Sequence, residues 1–351
     1  MDDRKQHGNR WGRHIGVNDM NAFIKGISYY LPIKEHTKEE LAAEFPELTV
    51  EKVASKVGIS RRHIAGPDET AADMAVKTAE ALFEEYGIDR EDIDFILLCT
   101  QSPDYVLPTT ACMLQNRLEL PTSCGALDFN LGCSGYVYGL SLAKGLVLSG
   151  TSKNVLLLTS ETYTKHIHPK DKGNRTIFGD ASAATLISTE GFASIGNFCL
   201  GTDGSGAQNL IIKAGGMRHP DRLPEIEDEG GALLYPNHLY MNGAEVFNFT
   251  MATVPPLIEG TLQRNSLVKN QVDLFVFHQA NKFMLNTLRK LCAIDPERFY
   301  YCLEDVGNTV SSTIPIALKR AQAESAIEPG FRVLLAGFGV GYSWGSCVLE
   351  Y

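Results

Sequence analysis

Cys133 stands in Ala126-Leu-Asp-Phe-Asn-Leu-Gly-Cys-Ser-Gly-Tyr-Val-Tyr-Gly-Leu, where an alternating strand pattern over 126–131 gives way at two glycines to an apolar helical pattern over 134–149. This order of strand, turn and helix predicts a cysteine at a helix N-terminus, where unpaired N–H groups favour an anion. A thiol in that setting is expected to titrate below its ordinary value of roughly 8.5 and to serve as a nucleophile. The alternative is a small residue filling a strand–helix corner. A cysteine nucleophile needs partners that move or orient a proton. Of nine histidines only His278 ends an apolar strand, in Phe275-Val-Phe-His-Gln-Ala-Asn. The carboxyl end of a strand is where α/β sheets place their sites, although His278 can equally cap the helix that follows. Asn308, in Gly307-Asn-Thr-Val-Ser-Ser, offers a carboxamide for the same work or a plain helix cap. The run Ala336-Gly-Phe-Gly-Val-Gly-Tyr-Ser-Trp-Gly-Ser can bring backbone N–H groups to a substrate oxygen, or form only a hairpin. His166, His168 and Asp171 share a polar loop, a weak pattern for a metal.

The elements that must position these groups alternate between strand and helix, which predicts a mixed sheet with helices on its faces. Residues 37–58 carry a helical pattern, and Pro67-Asp-Glu-Thr-Ala opens a helix that Gly87 stops. Strands are expected at 21–32, 93–99, 126–131, 155–159 and 183–188, with 161–176 as a polar loop. The pattern then recurs. Glu91-Asp-Ile-Asp-Phe-Ile-Leu-Leu is echoed by Asn270-Gln-Val-Asp-Leu-Phe-Val-Phe, with Ile93 and Val272 separated by 272 − 93 = 179 positions. Lys153-Asn-Val-Leu-Leu-Leu is echoed by Phe331-Arg-Val-Leu-Leu-Ala, with Val155 and Val333 separated by 333 − 155 = 178. Cys133 and Asn308 fall at matching places between these marks. The reading is a duplication, with residues 20–190 and 191–351 as halves whose strand–helix turns face a common cleft. Residues 1–19 lack periodicity and are set aside as an extension.

Composition narrows the class. The 351 residues are 44% apolar and 21% charged, ordinary for a globular chain. A formal charge of −10 argues against nucleic acid as a general partner. The eight cysteines include no Cys-x-x-Cys pair, so neither a zinc site nor a redox dithiol is suggested, and free thiols fit a reducing cytoplasm. No apolar run approaches the roughly 18 residues of a membrane span.

Taken in order, Gly-Cys-Ser-Gly, His-Gln-Ala-Asn, Gly-Asn-Thr and Gly-Phe-Gly-Val-Gly-Tyr-Ser-Trp-Gly-Ser resemble the β-ketoacyl-acyl carrier protein synthase III family of the thiolase superfamily. Arg61-Arg-His-Ile, Phe178-Gly-Asp-Ala-Ser-Ala-Ala and His238-Leu-Tyr-Met-Asn-Gly-Ala-Glu-Val-Phe extend the resemblance over residues 21–351. It implies two thiolase-like halves of mixed five-stranded sheets in a layered α-β-α-β-α arrangement, usually as a homodimer. It implies Cys133 as acyl acceptor, with His278 and Asn308 completing the catalytic set. The backbone N–H groups of Cys133 and Val340 then form the oxyanion hole. Phe178, Leu107, Met241, Gly339, Gly341 and Asn281 are the implied substrate-binding residues. Arg61, Arg62, Lys52, Lys56, Lys172 and Lys282 are the implied docking residues for coenzyme A or an acyl carrier protein. Acyl transfer to Cys133 and decarboxylative condensation with a malonyl thioester need no metal or redox cofactor.

Three positions depart from the family pattern. Residues 50–57 hold no aromatic, and Lys52 stands where a tryptophan usually stacks on the adenine of coenzyme A. Phe283 replaces a basic residue tied to carrier docking, although Lys282 adjoins it, and Val340 replaces a glycine. The expectation is a donor other than simple acetyl-coenzyme A, either another acyl-coenzyme A or a carrier-borne acyl group of a specialised pathway. Two other readings compete: acyl transfer to an oxygen or nitrogen nucleophile, and a catalytically silent binding module.

Overall fold

The computed structural model describes residues 21–46, 57–227 and 233–351. Lys52, Lys56 and the segment 1–19 lie outside the described residues, as do residues 47–56 of the helical pattern at 37–58, of which Lys38–Glu44 is helical.

Ten strands form the main sheet: β1 (Phe23–Tyr30), β2 (Phe95–Cys99), β3 (Gly125–Phe129), β4 (Asn154–Glu161), β5 (Ala181–Ser188), β6 (Ala193–Ile195), β7 (Cys199–Thr202), β8 (Leu274–Phe277), β9 (Arg332–Gly339) and β10 (Ser343–Glu350). Their order is β8-β9-β10-β6-β1-β5-β4-β2-β3, with β7 on β10 beyond β6. β2, β4, β5, β8 and β9 are almost wholly buried. That is why their sequences read as continuous apolar runs rather than alternations.

The duplication is visible in the pairing. β2 lies parallel to β4 with Phe95 opposite Val155, and β8 lies parallel to β9 with Leu274 opposite Val333. β4–β5 and β9–β10 are then both antiparallel. The counterpart of β3 in the second half is reduced to a single bridge between Phe275 and Phe299. The two halves carry the mixed sheets that the family pattern implied, and those sheets are joined at one edge. β6 pairs with both β1 and β10, so the halves run together into one ten-stranded sheet. Only four residues part β5 from β6, too few for β6 to leave the edge of β1.

Six helices fill the layers: α1 (Ala71–Tyr86), α2 (Thr110–Arg117), α3 (Gly135–Leu148), α4 (Gly243–Arg264), α5 (Lys282–Leu291) and α6 (Thr313–Ala323). α3 packs on β2, β4 and β5 of the first half and on β9 and β10 of the second. α6 packs on β1, β5 and β8. These two helices are the central layer, and their burial explains why α3 shows little polar face. α1 and α2 cover the first half outside, and α4 and α5 the second. α1 opens on a Thr70–Asp73 capping box and closes on Gly87, whose φ of 61° is left-handed. The central core draws Leu97, Tyr136 and Leu157 from one half and Val276, Ile314 and Leu335 from the other. Leu157 is fully buried against Gly139 of α3. Leu157→Ala is expected to cost about 2–5 kcal/mol, read as a lowered urea midpoint with an unchanged slope.

Candidate active site

The two central helices begin on either side of one cavity. Cys133 lies in the turn between β3 and α3, where the Gly135 N–H donates to the Gly132 carbonyl at 2.8 Å. Strand β9 runs hard against that turn. A Cβ on Gly337 would meet the Cys133 carbonyl oxygen at 2.8 Å. A Cβ on Gly339 would meet the Cys133 Cβ at 2.8 Å and Sγ at 3.0 Å. The C-terminal glycines are therefore a hairpin and a place of close approach at once. The hydroxyls of Ser134 and Ser343 hydrogen-bond across the same seam.

His278 follows β8 directly and is 2% exposed. It does not cap the next helix; Asn281 does, accepting from the Met284 N–H at 2.9 Å. Asn308 is likewise no helix cap. Its Oδ1 accepts from the Val310 N–H at 2.9 Å, two residues on, and α6 begins only at Thr313. That bond leaves the Asn308 Nδ2 3.4 Å from the His278 Nε2. The other imidazole nitrogen, Nδ1, lies 2.8 Å from the Thr313 hydroxyl, which donates to the Val310 carbonyl at 3.1 Å. Val310 has a φ of 55°, uncommon for a β-branched residue, and its backbone thus fixes the Asn308 amide and supports the His278 ring together. Neither Thr313 nor Val310 stands out in sequence, because their roles depend on where α6 begins.

Cys133, His278 and Asn308 line one cavity of about 150 Å³ with Phe178, Met241 and Gly339. Asn281 lines it too. Val246 of the His238–Phe247 motif, with Leu210 and Met284, which no motif indicated, completes an apolar wall. Leu107 does not reach this cavity in a single chain; it is 82% exposed at a loop tip with Tyr105 and Val106. Gly341 stays outside as well, in the β9–β10 turn with a φ of 138°, while Val340 packs beside Cys133.

Burial sets the protonation states. The Cys133 thiol is pushed up to about 12, by desolvation first and the Glu161 carboxyl second. This overturns the expected low thiol value. The sulfur sits inside an apolar cluster, and removing a thiolate from water outweighs the helix terminus. Burial pushes His278 down to about 3, so thiol and imidazole are both neutral near pH 7. Glu161, at the end of β4, is fully buried and pushed up to about 8 by burial, accepting from the Gln101 N–H and the Ser102 hydroxyl at 2.9 and 2.8 Å. Asp180 is pushed up to about 6 for the same reason. The loop that holds Glu161's neighbours is not simply polar: Tyr163 and Ile167 are buried in it.

The basic residues separate. Arg62 is 3% exposed and donates to the His36 Nδ1 at 2.9 Å, so it is no docking residue. It lies in a short strand, Arg61–Ile64, whose partner Lys34–Thr37 covers it. Arg61 faces outward between Glu35 and Asp305, and Lys172 and Lys282 are exposed. His166 contacts the Ser102 hydroxyl and the Gln101 carbonyl, and His168 stacks on Tyr235. Among the described residues no three His, Cys, Asp or Glu side chains gather to hold a metal ion, and no helix is long and apolar enough to cross a membrane.

Two repeated halves that share α3 and α6 as a central layer define the thiolase-like fold of condensing enzymes. The sequence profile of the family described as 3-oxoacyl-[acyl-carrier-protein (ACP)] synthase III matches residues 127–204, and that of its C-terminal part matches residues 262–351. The β-ketoacyl-[acyl-carrier-protein] synthase III of Methylococcus capsulatus is 34% identical over 93% of this chain and 98% of its own. A 2.1 Å crystal structure of a 3-oxoacyl-(acyl-carrier-protein) synthase III superposes with a TM-score of 0.91 at 49% identity, covering 94% of this chain and all of that one. The 3-oxoacyl-(acyl-carrier protein) synthase of Burkholderia xenovorans gives 0.86 at 37% identity, over 94% of each chain. The chain belongs to the β-ketoacyl-acyl carrier protein synthase III family, acyltransferases of the condensing-enzyme class.

Two measurements check the electrostatics. Iodoacetamide should alkylate Cys133 in the free enzyme with a rate that climbs with pH and does not level off below pH 9, whereas a plateau below pH 8 would show a depressed thiol. Unfolded carboxyls ionise near pH 4, while folded Glu161 holds its proton to about 8. The folded state therefore binds more protons through this window, and stability falls as pH rises across it. Glu161→Gln should flatten the loss of unfolding free energy between pH 5 and 8.5, followed by urea titration.

Proposed function

We propose that Cys133 accepts an acyl group from an acyl thioester, and that the acyl-enzyme then condenses with malonyl-acyl carrier protein. The products are 3-oxoacyl-acyl carrier protein, CO2 and the free thiol of the donor. The observation that carries the reading is the meeting of sulfur, imidazole and carboxamide around one apolar cavity at the seam of two like halves. In the first half-reaction the Cys133 sulfur attacks the thioester carbonyl, and its proton passes to the departing thiol. The tetrahedral oxygen faces the N–H groups of Cys133 and Val340, neither of which has a backbone acceptor among the described residues. Each such donor is typically worth about 3 kcal/mol of barrier. In the second half-reaction the malonyl carbonyl sits between His278 and Asn308; the Asn308 Nδ2–H donates to it, and so does the His278 Nε2–H in the tautomer whose Nδ1 accepts from a reoriented Thr313 hydroxyl, so that both stabilise the enolate as CO2 leaves. The carbanion attacks the acyl-cysteine and releases the sulfur. A buried, neutral imidazole suits this role, because donation to an enolate in an apolar site needs no full positive charge.

The reaction requires no metal or redox cofactor. The cavity, about 150 Å³ in one chain, is of a size that takes a benzene-sized apolar group, which suits a short acyl chain. A homodimer is supported by β3, an edge strand with Leu127 exposed, and by the apolar tip Tyr105–Leu107, which in a dimer is free to close a neighbour's cavity. Lys282, together with Lys172 and with Arg61 beside Glu35 and Asp305, is a surface cation that suits docking of an acidic carrier protein. Eight unpaired cysteines fit a cytoplasmic setting.

Intact-mass measurement after exposure to acyl-coenzyme A and acyl-carrier donors should show one acyl adduct, lost in Cys133→Ala. His278→Ala and Asn308→Ala should retain the adduct while slowing CO2 release from the malonyl thioester by at least about 100-fold. Adduct formation without CO2 release in the wild type would instead indicate transfer to an oxygen or nitrogen nucleophile. Absence of any adduct would indicate a binding module.

A further inference from the structure

We propose that the cavity behind Phe178, where Arg62 is buried, binds a small oxyanion, a phosphate or a carboxylate, and that its occupancy is felt at Asn308. This cavity, of about 260 Å³, lies between the strand pair Lys34–Thr37 and Arg61–Ile64 on one side and the segment 164–178 on the other. It shares one residue, Phe178, with the Cys133 cavity. It shares none with the groove of about 780 Å³ that continues the Cys133 cavity outward. It is therefore a separate site, parted from the reacting sulfur by the buried Phe178.

Charge and hydrogen bonding point to an anion. Lys34, Arg62 and Arg175 line the cavity against one carboxylate, Glu44. Glu44 is already engaged: its Oε2 pairs with Arg175 at 2.5 Å, and its Oε1 accepts from the His36 Nε2 at 3.1 Å. The His36 Nδ1 accepts from Arg62 at 2.9 Å. Burial and the Arg62 charge hold His36 below its ordinary value, so Arg62 reaches that carboxylate only through a neutral imidazole. The Asp180 carboxylate is likewise taken, by the N–H groups of Ala65 and Thr164 and by the Thr164 hydroxyl. A guanidinium carries five N–H donors, yet among the described residues His36 is the one hydrogen-bond partner of Arg62. Burial, with the Arg175 charge, pushes Arg62 down to about 10. Buried donors left without acceptors are costly. An oxyanion that accepts two parallel N–H bonds supplies what this guanidinium lacks.

The stem of Arg62 links its head to the catalytic carboxamide. A Cβ on Gly307 would meet the Arg62 Cγ at 2.7 Å, and one on Gly179 would meet the Arg62 Cβ at 3.3 Å. Beside these glycines Phe178 and Asn308 form a parallel bridge. In it the Gly179 N–H donates to the Asn308 carbonyl at 3.0 Å, and the Asn308 N–H to the Ile177 carbonyl at 2.9 Å. An anion that fixes the guanidinium thus fixes the backbone from which Asn308 projects. The coupling rests on the proposed condensation; the binding does not.

The test titrates the full chain by calorimetry with inorganic phosphate and, separately, with succinate, at an ionic strength held constant with chloride. Saturable binding of either supports the site and says which oxyanion it takes. Lys34→Gln should weaken that binding about tenfold and Glu44→Gln should tighten it about tenfold, opposite shifts that purely structural side chains would not give. No saturable binding to the wild type, equal constants in all three proteins, or shifts in one direction would overturn the inference. With acyl-pantetheine and malonyl-pantetheine as substrates, saturating anion should change the rate of CO2 release at least about fivefold and leave Cys133 acylation within about twofold. The midpoint of that change should match the binding constant and move with it in both variants. Binding with unaltered CO2 release would overturn the link to Asn308. No CO2 release under any condition would remove the condensation reading, and the binding constants would still decide the site.

Discussion

The structure depends on a contact in which one partner has no side chain. Strand β9 of the second half lies so close to the Cys133 turn of the first that Gly337 and Gly339 have no room for a Cβ. Protein interiors resist even one extra methyl where packing is tight, so this approach fixes the distance between the halves. Everything else at the site follows from it. α3 and α6 share the middle layer, Val340 is brought beside the sulfur, and the ends of β8 and α6 face Cys133 across a cavity rather than a solvent cleft.

That proximity decides the electrostatics as well. A cavity walled by Phe178, Leu210 and Met241 strips water from the sulfur and the imidazole, and both take their neutral forms. A neutral pair looks inert by comparison with a thiolate–imidazolium pair, yet it suits a reaction whose charge appears only in passing. Fixed N–H donors in a low-dielectric site act most strongly on charge that develops during the reaction. The free enzyme then carries no buried ion pair whose desolvation would have to be offset elsewhere. Glu161 extends the same logic beneath the site, as a carboxyl kept protonated by burial.

Much of this was legible in the residues. Buried strands are continuous apolar runs, and two of them recur at offsets of 179 and 178 positions because pairing register repeats when a fold duplicates. Gly-Cys-Ser-Gly, His-Gln-Ala-Asn and Gly-Asn-Thr stand out because turns between strand and helix tolerate few residue types. Arg62 misled because charge is visible in a sequence and burial is not; the strand pair that covers it depends on a neighbour 26 residues away. The join of the two sheets through β6 was equally hidden, since a three-residue strand has too little pattern to announce its partners.

The sequence by itself therefore determined the kinds of elements, their repetition, and which thiol, imidazole and carboxamide stand at strand–helix turns, because those features are local and set by residue type and period. Only the tertiary structure decided which nitrogen of His278 meets Thr313, that the Cys133 thiol is held neutral, that Leu107 and Gly341 stand apart from the cavity, and that Tyr235 rests on His168. Those properties are set by how much water remains and by which atoms come within a few ångströms from distant parts of the chain, and neither quantity is written in the order of the residues.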